Sequence, residues 1–220
     1  MQPFQLVGSK QHEKTFLFIG AHCDDIEIGC GGSVIQLAAT NPNAHFHWAI
    51  LSSTPDRALE AMKSAETLLA GVKNKTIEIK TFEGSVFPYI GREIKTYFEE
   101  LKSKINPDLI FTHYRHDLHQ DHRITAEITW NTFRNHTILE YEIPKYDGDL
   151  ASPNVFIALS EEQYKLKIEH LMKHFDSQKN KQWYTHDTFL ATMRIRGIES
   201  NADSGYAEGF YGKKLLISFL

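Results

Sequence analysis

Hydrophobic residues along the first two thirds of the chain follow two different spacings. Predominantly apolar runs without helical spacing, at residues 15–20, 45–53 and 108–113, are typical of strands that are buried on both faces of a parallel sheet. Residues 29–41 and 55–71 instead have the spacing of helices. Strands that alternate with helices predict an α/β fold, here a Rossmann-like three-layer sandwich with a mostly parallel sheet.

The rest of the chain extends this pattern. Residues 76–82 alternate apolar and polar positions, which indicates a more exposed strand at an edge of the sheet. We expect a helix over residues 90–104 and strands over residues 137–143 and 154–159, and residues 160–163 resemble a capping box that opens another helix. The helix before the edge strand is expected to bury Leu59, Met62, Leu68 and Leu69.

The composition fits one domain over residues 1–220. Of the 220 residues, 41% are hydrophobic and 24% are charged, as in ordinary globular proteins. The net charge of −4 and the pI near 6.3 argue against nucleic acid as the main partner. No apolar stretch has the length of a membrane span, and residues 1–10 lack the features of an export signal, so we expect a cytoplasmic protein. The amino-acid sequence is compatible with a homo-oligomer.

Two acidic, histidine-bearing segments each follow an expected strand. Residues 21–25 read Ala-His-Cys-Asp-Asp and come after the first strand, and residues 119–122 read His-Gln-Asp-His and follow the strand that ends near His113. In open α/β sheets, ligands bind at the carboxyl ends of the strands. The two segments are therefore expected to meet there and to form the active site.

The side chains of these segments suit a hydrolytic metal site. Catalytic zinc usually has three protein ligands from His and Asp or Glu, with water in the remaining position. Of the adjacent Asp24 and Asp25, one can bind the metal while the other takes a proton from the attacking water. A histidine that does not bind metal can polarise a carbonyl or protonate a leaving amine if a carboxylate orients it, and His119 with Asp121 could form that pair.

At these residues the chain resembles the LmbE/PIG-L-like family of zinc-dependent N-acetylglucosaminyl deacetylases. The family motifs are Ala-His-Pro-Asp-Asp-Glu, followed by a glycine-rich helix start, and His-Pro-Asp-His; they match residues 21–32 and 119–122. The resemblance implies that zinc binds to His22, Asp25 and His122. It further implies Asp24 as the general base, and His119 as the group that polarises the carbonyl or acts as acid, oriented by Asp121.

The chain departs from the family motifs without losing a ligand. Cys23 and Gln120 stand where the family commonly has proline, and Ile26 stands where it commonly has glutamate. Cys23 also brings a soft potential ligand to the site. Arg57 and Glu60 resemble the family's Arg-x-x-Glu helix, and weaker C-terminal landmarks match Ser177-Gln178 and residues 207–210. The likeness thus covers most of the chain.

Several of these residues have a structural alternative. Asp24 and Asp25 could cap the following helix. Arg57 could hold the substrate in a fork of hydrogen bonds, or it could form an ordinary ion pair with Glu60. His116 and Tyr146 could contact the substrate, or they could be solvated loop residues, since turns are rich in polar side chains. The glycines of residues 29–32 could cradle a phosphate, but the neighbouring acids oppose an anion, and helix packing is the favoured role. Cys23 and Cys30 are expected to be thiols.

The leading hypothesis is a zinc-dependent hydrolase that removes an N-acetyl group from a small amino-sugar-containing substrate. Two alternatives stay open, namely a zinc amide hydrolase that acts on a non-sugar substrate and a non-catalytic member of the fold that binds metal or sugar. A two-metal phosphoesterase would need more bridging carboxylates than the motifs offer. Two histidines with one carboxylate also suit iron(II), so the motifs do not fix the metal.

Overall fold

Seven strands form one sheet in the structure, a computed structural model that describes residues 13–216. In chain order they are β1 (Thr15–Gly20), β2 (His45–Ile50), β3 (Asn74–Ile79), β4 (Leu109–His113), β5 (Thr137–Tyr141), β6 (Val155–Ala158) and β7 (Ala207–Gly212). Their order across the sheet is β3-β2-β1-β4-β5-β7-β6. Strands β1 to β5 are parallel to one another, and β7 runs antiparallel to β5 and β6. The predicted mostly parallel sheet is confirmed. The strand expected over residues 76–82 corresponds to β3, which lies at one edge of the sheet as predicted.

Helices cover both faces of the sheet. They are α1 (Asp25–Thr40), α2 (Pro55–Leu68), α3 (Gly91–Lys104), α4 (Gln120–Thr132), α5 (Glu161–His174) and α6 (His186–Ser200), with short 3₁₀ helices at Phe87–Tyr89 and Asp176–Gln178. Because side chains alternate along a strand, Phe16 and Phe18 of β1 face a core built with α1, α2, α5 and α6. Leu17 and Ile19 face a second core built with α3 and α4. These two cores give the three layers of the predicted sandwich.

Two details of the first two helices differ from the prediction. Helix α1 begins at Asp25, before the expected start near Gly29, and it contains a break at Cys30, where φ is −144°. In α2 the prediction that Leu59 is buried was wrong, since its exposure is 72%. The buried side of α2 is formed by Ala61, Ala65 and their neighbours. Leu59 precedes Ala61 by two residues, which is about 200° around a helix, so it points to solvent.

The C-terminal third contains elements that the hydrophobic pattern did not predict. The expected capping box at Ser160 is present and opens α5. Helix α6 and strand β7 were not predicted. Strand β7 inserts between β5 and β6, so the last strand of the chain lies next to the edge strand β6. Cys23 and Cys30 are buried free thiols. Residues 1–10, on which the expectation about an export signal rests, lie outside the described residues.

The strand order creates a crevice between β1 and β4. From β1 the chain proceeds outward to β2 and β3, and it then crosses to β4 and β5 on the other side. In such sheets the connections on the two sides diverge at the carboxyl ends of the central strands, which leaves room for a ligand. Residues 21–24 and 114–119 leave the sheet at this place. Among the helices within residues 13–216, none has the length and apolar content required to cross a membrane.

Candidate metal and catalytic site

The segments that follow β1 and β4 bring three candidate metal ligands together. His22 Nδ1 lies 3.2 Å from His122 Nε2 and 3.4 Å from Asp25 Oδ2. His122 Nε2 lies 3.5 Å from Asp25 Oδ1. Donor atoms at the corners of a tetrahedron around zinc, with bonds of about 2.0–2.1 Å, are about 3.3–3.4 Å apart. The donors of His22, Asp25 and His122 are therefore spaced as a divalent ion requires.

A carboxylate contacts the far side of the His22 ring. His22 Nε2 lies 3.0 Å from Asp121 Oδ2, and the Asp121 carboxylate also accepts the main-chain N–H groups of Ser85 at 2.5 Å and Phe87 at 3.2 Å. A carboxylate at this position orients a metal-binding imidazole and fixes its tautomer. Although burial disfavours the charged ring, Asp25 and Asp121 raise the pKa of His22 to about 9.

This contact corrects the expected pairing of Asp121 with His119. The Asp121 carboxylate faces His22, and Asp121 reaches His119 through its main chain, because its N–H donates to His119 Nδ1 at 3.2 Å. The reason is local: His119 is the N-cap of α4, so its ring accepts from the first turn of the helix. The His119 ring lies close to both histidine ligands, with centroid distances of 5.0 Å to His22 and 4.4 Å to His122.

Asp117 orients the second histidine, and the sequence did not single it out. Its Oδ2 lies 3.0 Å from His122 Nδ1, and its Oδ1 accepts the His119 main-chain N–H at 2.8 Å. Although Asp117 is largely buried, its contact with His122 holds the pKa of its carboxyl well below the usual range. Burial, together with the nearby His113, lowers the pKa of His122 to about 3, so this imidazole is neutral, which is the form that binds metal.

Asp25 is fixed by groups on the β1 side and the β4 side of the crevice. Its Oδ2 accepts the main-chain N–H of His22 at 2.6 Å and lies 3.0 Å from His113 Nε2. Burial opposes the charged carboxylate, but the surrounding histidines hold the pKa of Asp25 well below its usual value. His113, near which the strand was expected to end, is fully buried at the end of β4 and stacks on His122 with centroids 4.0 Å apart.

Asp24 points to the cavity beside the metal donors and contacts Arg57. Arg57 Nη2 donates to Asp24 Oδ1 at 2.6 Å, because α2 starts at the carboxyl end of β2 and carries Arg57 toward the crevice. Burial raises the pKa of Asp24, and Arg57 opposes that shift. Arg57 therefore pairs with Asp24 and not with Glu60, which was the alternative. The Glu60 carboxylate instead accepts hydrogen bonds from the main-chain N–H and the hydroxyl of Ser177.

An open cavity of about 800 Å³ adjoins these groups. It is lined by the metal and catalytic candidates and by side chains of the surrounding loops, among them Ser52, Ser53, Thr54, Arg57, Thr81, Lys145, Tyr146, Lys181 and Trp183. The expected substrate contact by His116 is not supported. Its neighbour Asp117 turns inward to His122, so His116 points outward and lines a separate cavity with Arg115, Trp130 and Lys213.

The glycine-rich start of α1 has a packing role. A Cβ atom on Gly29 would lie 2.1 Å from the ring of Tyr141 in β5, so only glycine permits this close approach. The main-chain N–H groups of Gly32 and Ser33 donate to the carboxylate of Glu208 in β7 at 2.8 and 2.7 Å. Because a side chain of the protein already occupies these amides, they are not free to cradle a phosphate.

Known proteins resemble this chain in sequence and in fold. The chain is 27% identical over 179 residues to the uncharacterized deacetylase YaiS of Escherichia coli (strain K12), an overlap of 77% of this chain and 95% of YaiS. Two solved structures share the fold. N,N'-diacetylchitobiose deacetylase from Pyrococcus horikoshii has a TM-score of 0.64 and 19% identity, with 94% of this chain and 86% of that chain covered.

The second structure is GalB, the 4-carboxy-2-hydroxymuconate hydratase from Pseudomonas putida KT2440. Its TM-score is 0.71 at 14% identity, with 94% of this chain and 99% of that chain covered. A deacetylase and a hydratase thus share this architecture, and the fold alone does not select the reaction.

The family model of PIG-L, described as GlcNAc-PI de-N-acetylase, matches residues 17–133, a span that contains both histidine-bearing segments and more than half of the chain. The predicted family is confirmed: the chain belongs to the PIG-L family of deacetylases.

Proposed function

We propose that the protein is a zinc-dependent deacetylase that hydrolyses the N-acetyl group of an amino-sugar-containing substrate. One observation carries the proposal. Three donors spaced for a metal ion, from His22, Asp25 and His122, converge beside two further acid-base groups, Asp24 and His119, on one open cavity. Binding a metal requires only the three donors, so the additional groups favour catalysis over binding alone.

The residues fit a resident zinc ion. His22, Asp25 and His122 would hold it, and each histidine has a carboxylate at its other nitrogen, as metal-binding histidines usually do. When bound, zinc lowers the pKa of a coordinated water to about 7 and polarises a carbonyl group. The same donor set suits iron(II), so the choice between the two metals is part of the test below.

Asp24 is the general base in this proposal. Its side chain lies at the cavity next to Asp25, and Arg57 engages Oδ1, so Oδ2 is the oxygen that would accept a proton from the attacking water. The division of roles between the adjacent aspartates follows from their surroundings. Asp25 is held among histidines, whereas Asp24 is held by a guanidinium.

His119 would stabilise the carbonyl oxygen. Its Nδ1 accepts the N–H of Asp121, so the proton of the neutral ring is at Nε2. A neutral imidazole of this tautomer can donate a hydrogen bond to an oxygen as negative charge develops on it. This geometry supports carbonyl polarisation by His119 more directly than proton delivery to the leaving amine.

The cavity wall has the mixed character that a sugar ring requires. The lining includes the hydroxyl-bearing residues Ser52, Thr54 and Thr81, and the rings of Tyr146 and Trp183, with centroids 6.5 Å apart. Hydroxyls can pair with the sugar hydroxyl groups, and aromatic faces can cover its C–H surface. Arg57 and Tyr146 are the substrate-binding residues in this proposal.

Acetate release from metal-free and reconstituted protein tests the proposal. We expect release from N-acetylglucosamine glycosides that requires added zinc or iron(II), and no release from the triple alanine variant at positions 22, 25 and 122. If the folded triple variant carries stoichiometric zinc, the ligand assignment is wrong. If simple acetamides without a sugar react faster than the glycosides, the substrate is a non-sugar amide and the amino-sugar part of the proposal is rejected.

A further inference from the structure

We propose that Lys145 is a positioning residue that fixes the metal ligand His122 through the carboxylate of Asp117. The inference rests on the proposed metal site and concerns a residue that lies outside both histidine-bearing segments. The Lys145 side chain is only 7% exposed, although lysine rarely gives up its hydration unless it is paired. A specific set of partners therefore holds it there.

Those partners connect Lys145 to the ligand in two steps. Lys145 Nζ lies 3.0 Å from Asp117 Oδ1, and Asp117 Oδ2 lies 3.0 Å from His122 Nδ1. Asp117 Oδ1 also accepts the main-chain N–H of His119, so the same carboxylate supports a proposed ligand and a proposed catalytic residue. With the ammonium ion at one oxygen, the other oxygen is directed at the His122 ring.

Asp149 adds a second contact between the two loops. Its Oδ2 accepts from Lys145 Nζ at 2.6 Å and from the main-chain N–H of Leu118 at 2.7 Å. The loop that carries Lys145, Tyr146 and Asp149 is thus attached at two points to the loop that carries Asp117. Because Tyr146 lines the cavity, this loop joins the cavity wall to the metal ligand.

Two effects of Lys145 on metal binding have opposite signs, and this makes the role testable. Its positive charge repels a divalent cation, so charge alone predicts that removing the lysine strengthens metal binding. Positioning predicts the reverse, because Asp117 would be buried without its cation and would no longer be held against His122. Loss of an outer partner of a metal ligand typically costs about 10–100-fold in metal affinity.

The experiment is a measurement of zinc affinity by competition with a chelator, on the full chain and its variants. Lys145→Met is expected to bind zinc about 10–100-fold more weakly, and Lys145→Arg is expected to recover most of that loss because it keeps a cation at Asp117. The control is Lys181→Met, which removes the charge of another lysine of the same cavity, one whose ammonium lies over the Trp183 ring; its zinc affinity should not fall below the wild-type value. Thermal unfolding without zinc verifies that each variant folds.

The outcomes separate this proposal from the proposed function. Equal or tighter zinc binding by folded Lys145→Met overturns the positioning role while the metal site stands. A wild-type protein that binds neither zinc nor iron(II) overturns the proposed function, and the role of Lys145 with it. Should Lys145→Met fail to fold, Asp149→Asn decides by the same measurement, since Asp149 is the carboxylate nearest to Lys145 Nζ and its loss should also weaken zinc binding.

Discussion

Single carboxylates determine how the histidines of the proposed metal site are held. Asp121 and Asp117 each contact the far nitrogen of one histidine ligand, at 3.0 Å in both cases. The sequence singled out Asp121 but assigned its carboxylate to His119, and it did not single out Asp117. Spacing along the chain cannot predict such pairs, because the direction of a side chain depends on which partners the fold places around it.

Replacing Asp24 with asparagine separates catalysis from metal binding. The amide keeps the shape of the side chain and can still accept from Arg57, but it cannot take a proton. We expect Asp24→Asn to retain zinc and to lose about 10²–10⁴-fold in kcat. Steady-state kinetics and metal analysis on the same sample check this, with Asp187→Asn on the exposed surface as the control. Near-native turnover by the metal-replete variant would move the base to another residue.

The Asp121 carboxylate is expected to affect the metal more than the chemistry. Asp121→Asn removes the charge that orients His22, and its main-chain N–H still donates to His119. Zinc affinity should therefore fall by about 10–100-fold, while kcat at saturating zinc should change less than in Asp24→Asn. Asp203→Asn, in the exposed turn before β7, is the matched control. A larger loss in kcat than in zinc affinity would instead favour the original pairing of Asp121 with His119.

At the level of secondary structure, the packing of α1 against β5 positions the turn between β1 and α1, which carries the proposed metal ligand His22. Helix α1 begins with the proposed metal ligand Asp25, and its Gly29 packs against the ring of Tyr141. The Tyr141 hydroxyl donates to the carbonyl of Ile19 at 2.6 Å, just before β1 ends. The close approach of α1 thus aligns the end of β1 with the start of the helix.

Gly29→Ala is expected to destabilise the protein through this contact. The added methyl group would lie 2.1 Å from the Tyr141 ring, and overpacking of a buried site typically costs about 1–3 kcal/mol. Denaturant unfolding measures the change in the free energy of unfolding. Gly91→Ala in the first turn of α3 is the control, because a methyl group there meets no atom within 4 Å. Equal unfolding free energies for Gly29→Ala and wild type would contradict this account of the packing.

At the scale of the whole molecule, a buried histidine away from the metal donors makes stability depend on pH. Burial, together with His174 and Lys173, lowers the pKa of His170 to about 3, and its Nε2 lies 2.8 Å from the Ser64 hydroxyl between α5 and α2. The unfolded chain has a histidine pKa of about 6.5. Between these two values the unfolded state binds a proton that the folded state does not, so acid destabilises the fold, by at most about 1.4 kcal/mol per pH unit.

His170→Gln should reduce this acid sensitivity. Glutamine does not titrate, so the free energy of unfolding of the variant should fall less steeply between pH 6.5 and pH 4.5 than that of the wild type. Denaturant titrations at several pH values, with a chelator present so that metal binding adds no pH dependence, measure the slopes. His186→Gln, at an exposed position, should keep the wild-type slope. Identical slopes for His170→Gln and wild type would show that another group causes the dependence.

Features that depend on residues close together in the chain could be predicted from the amino-acid sequence. Apolar runs and helical spacings predicted the alternation of strands and helices, the capping box at Ser160 predicted the start of α5, and contiguous motifs predicted the family. It also predicted that residues 21–25 and 119–122 would meet, because the carboxyl ends of parallel strands share one edge of the sheet. Each of these inferences requires only local spacing and a general rule of topology.

The contacts between side chains of different elements could not be predicted in this way, because they depend on the assembled fold. It inserted β7 between β5 and β6, turned His116 outward, joined Arg57 to Asp24, and linked Lys145 to His122 through Asp117. These contacts join elements that are far apart in the chain, and their geometry follows from how the helices pack on the sheet. Local hydrophobic spacing determines which face of an element is buried, but the partner across the interface is determined by the assembled fold.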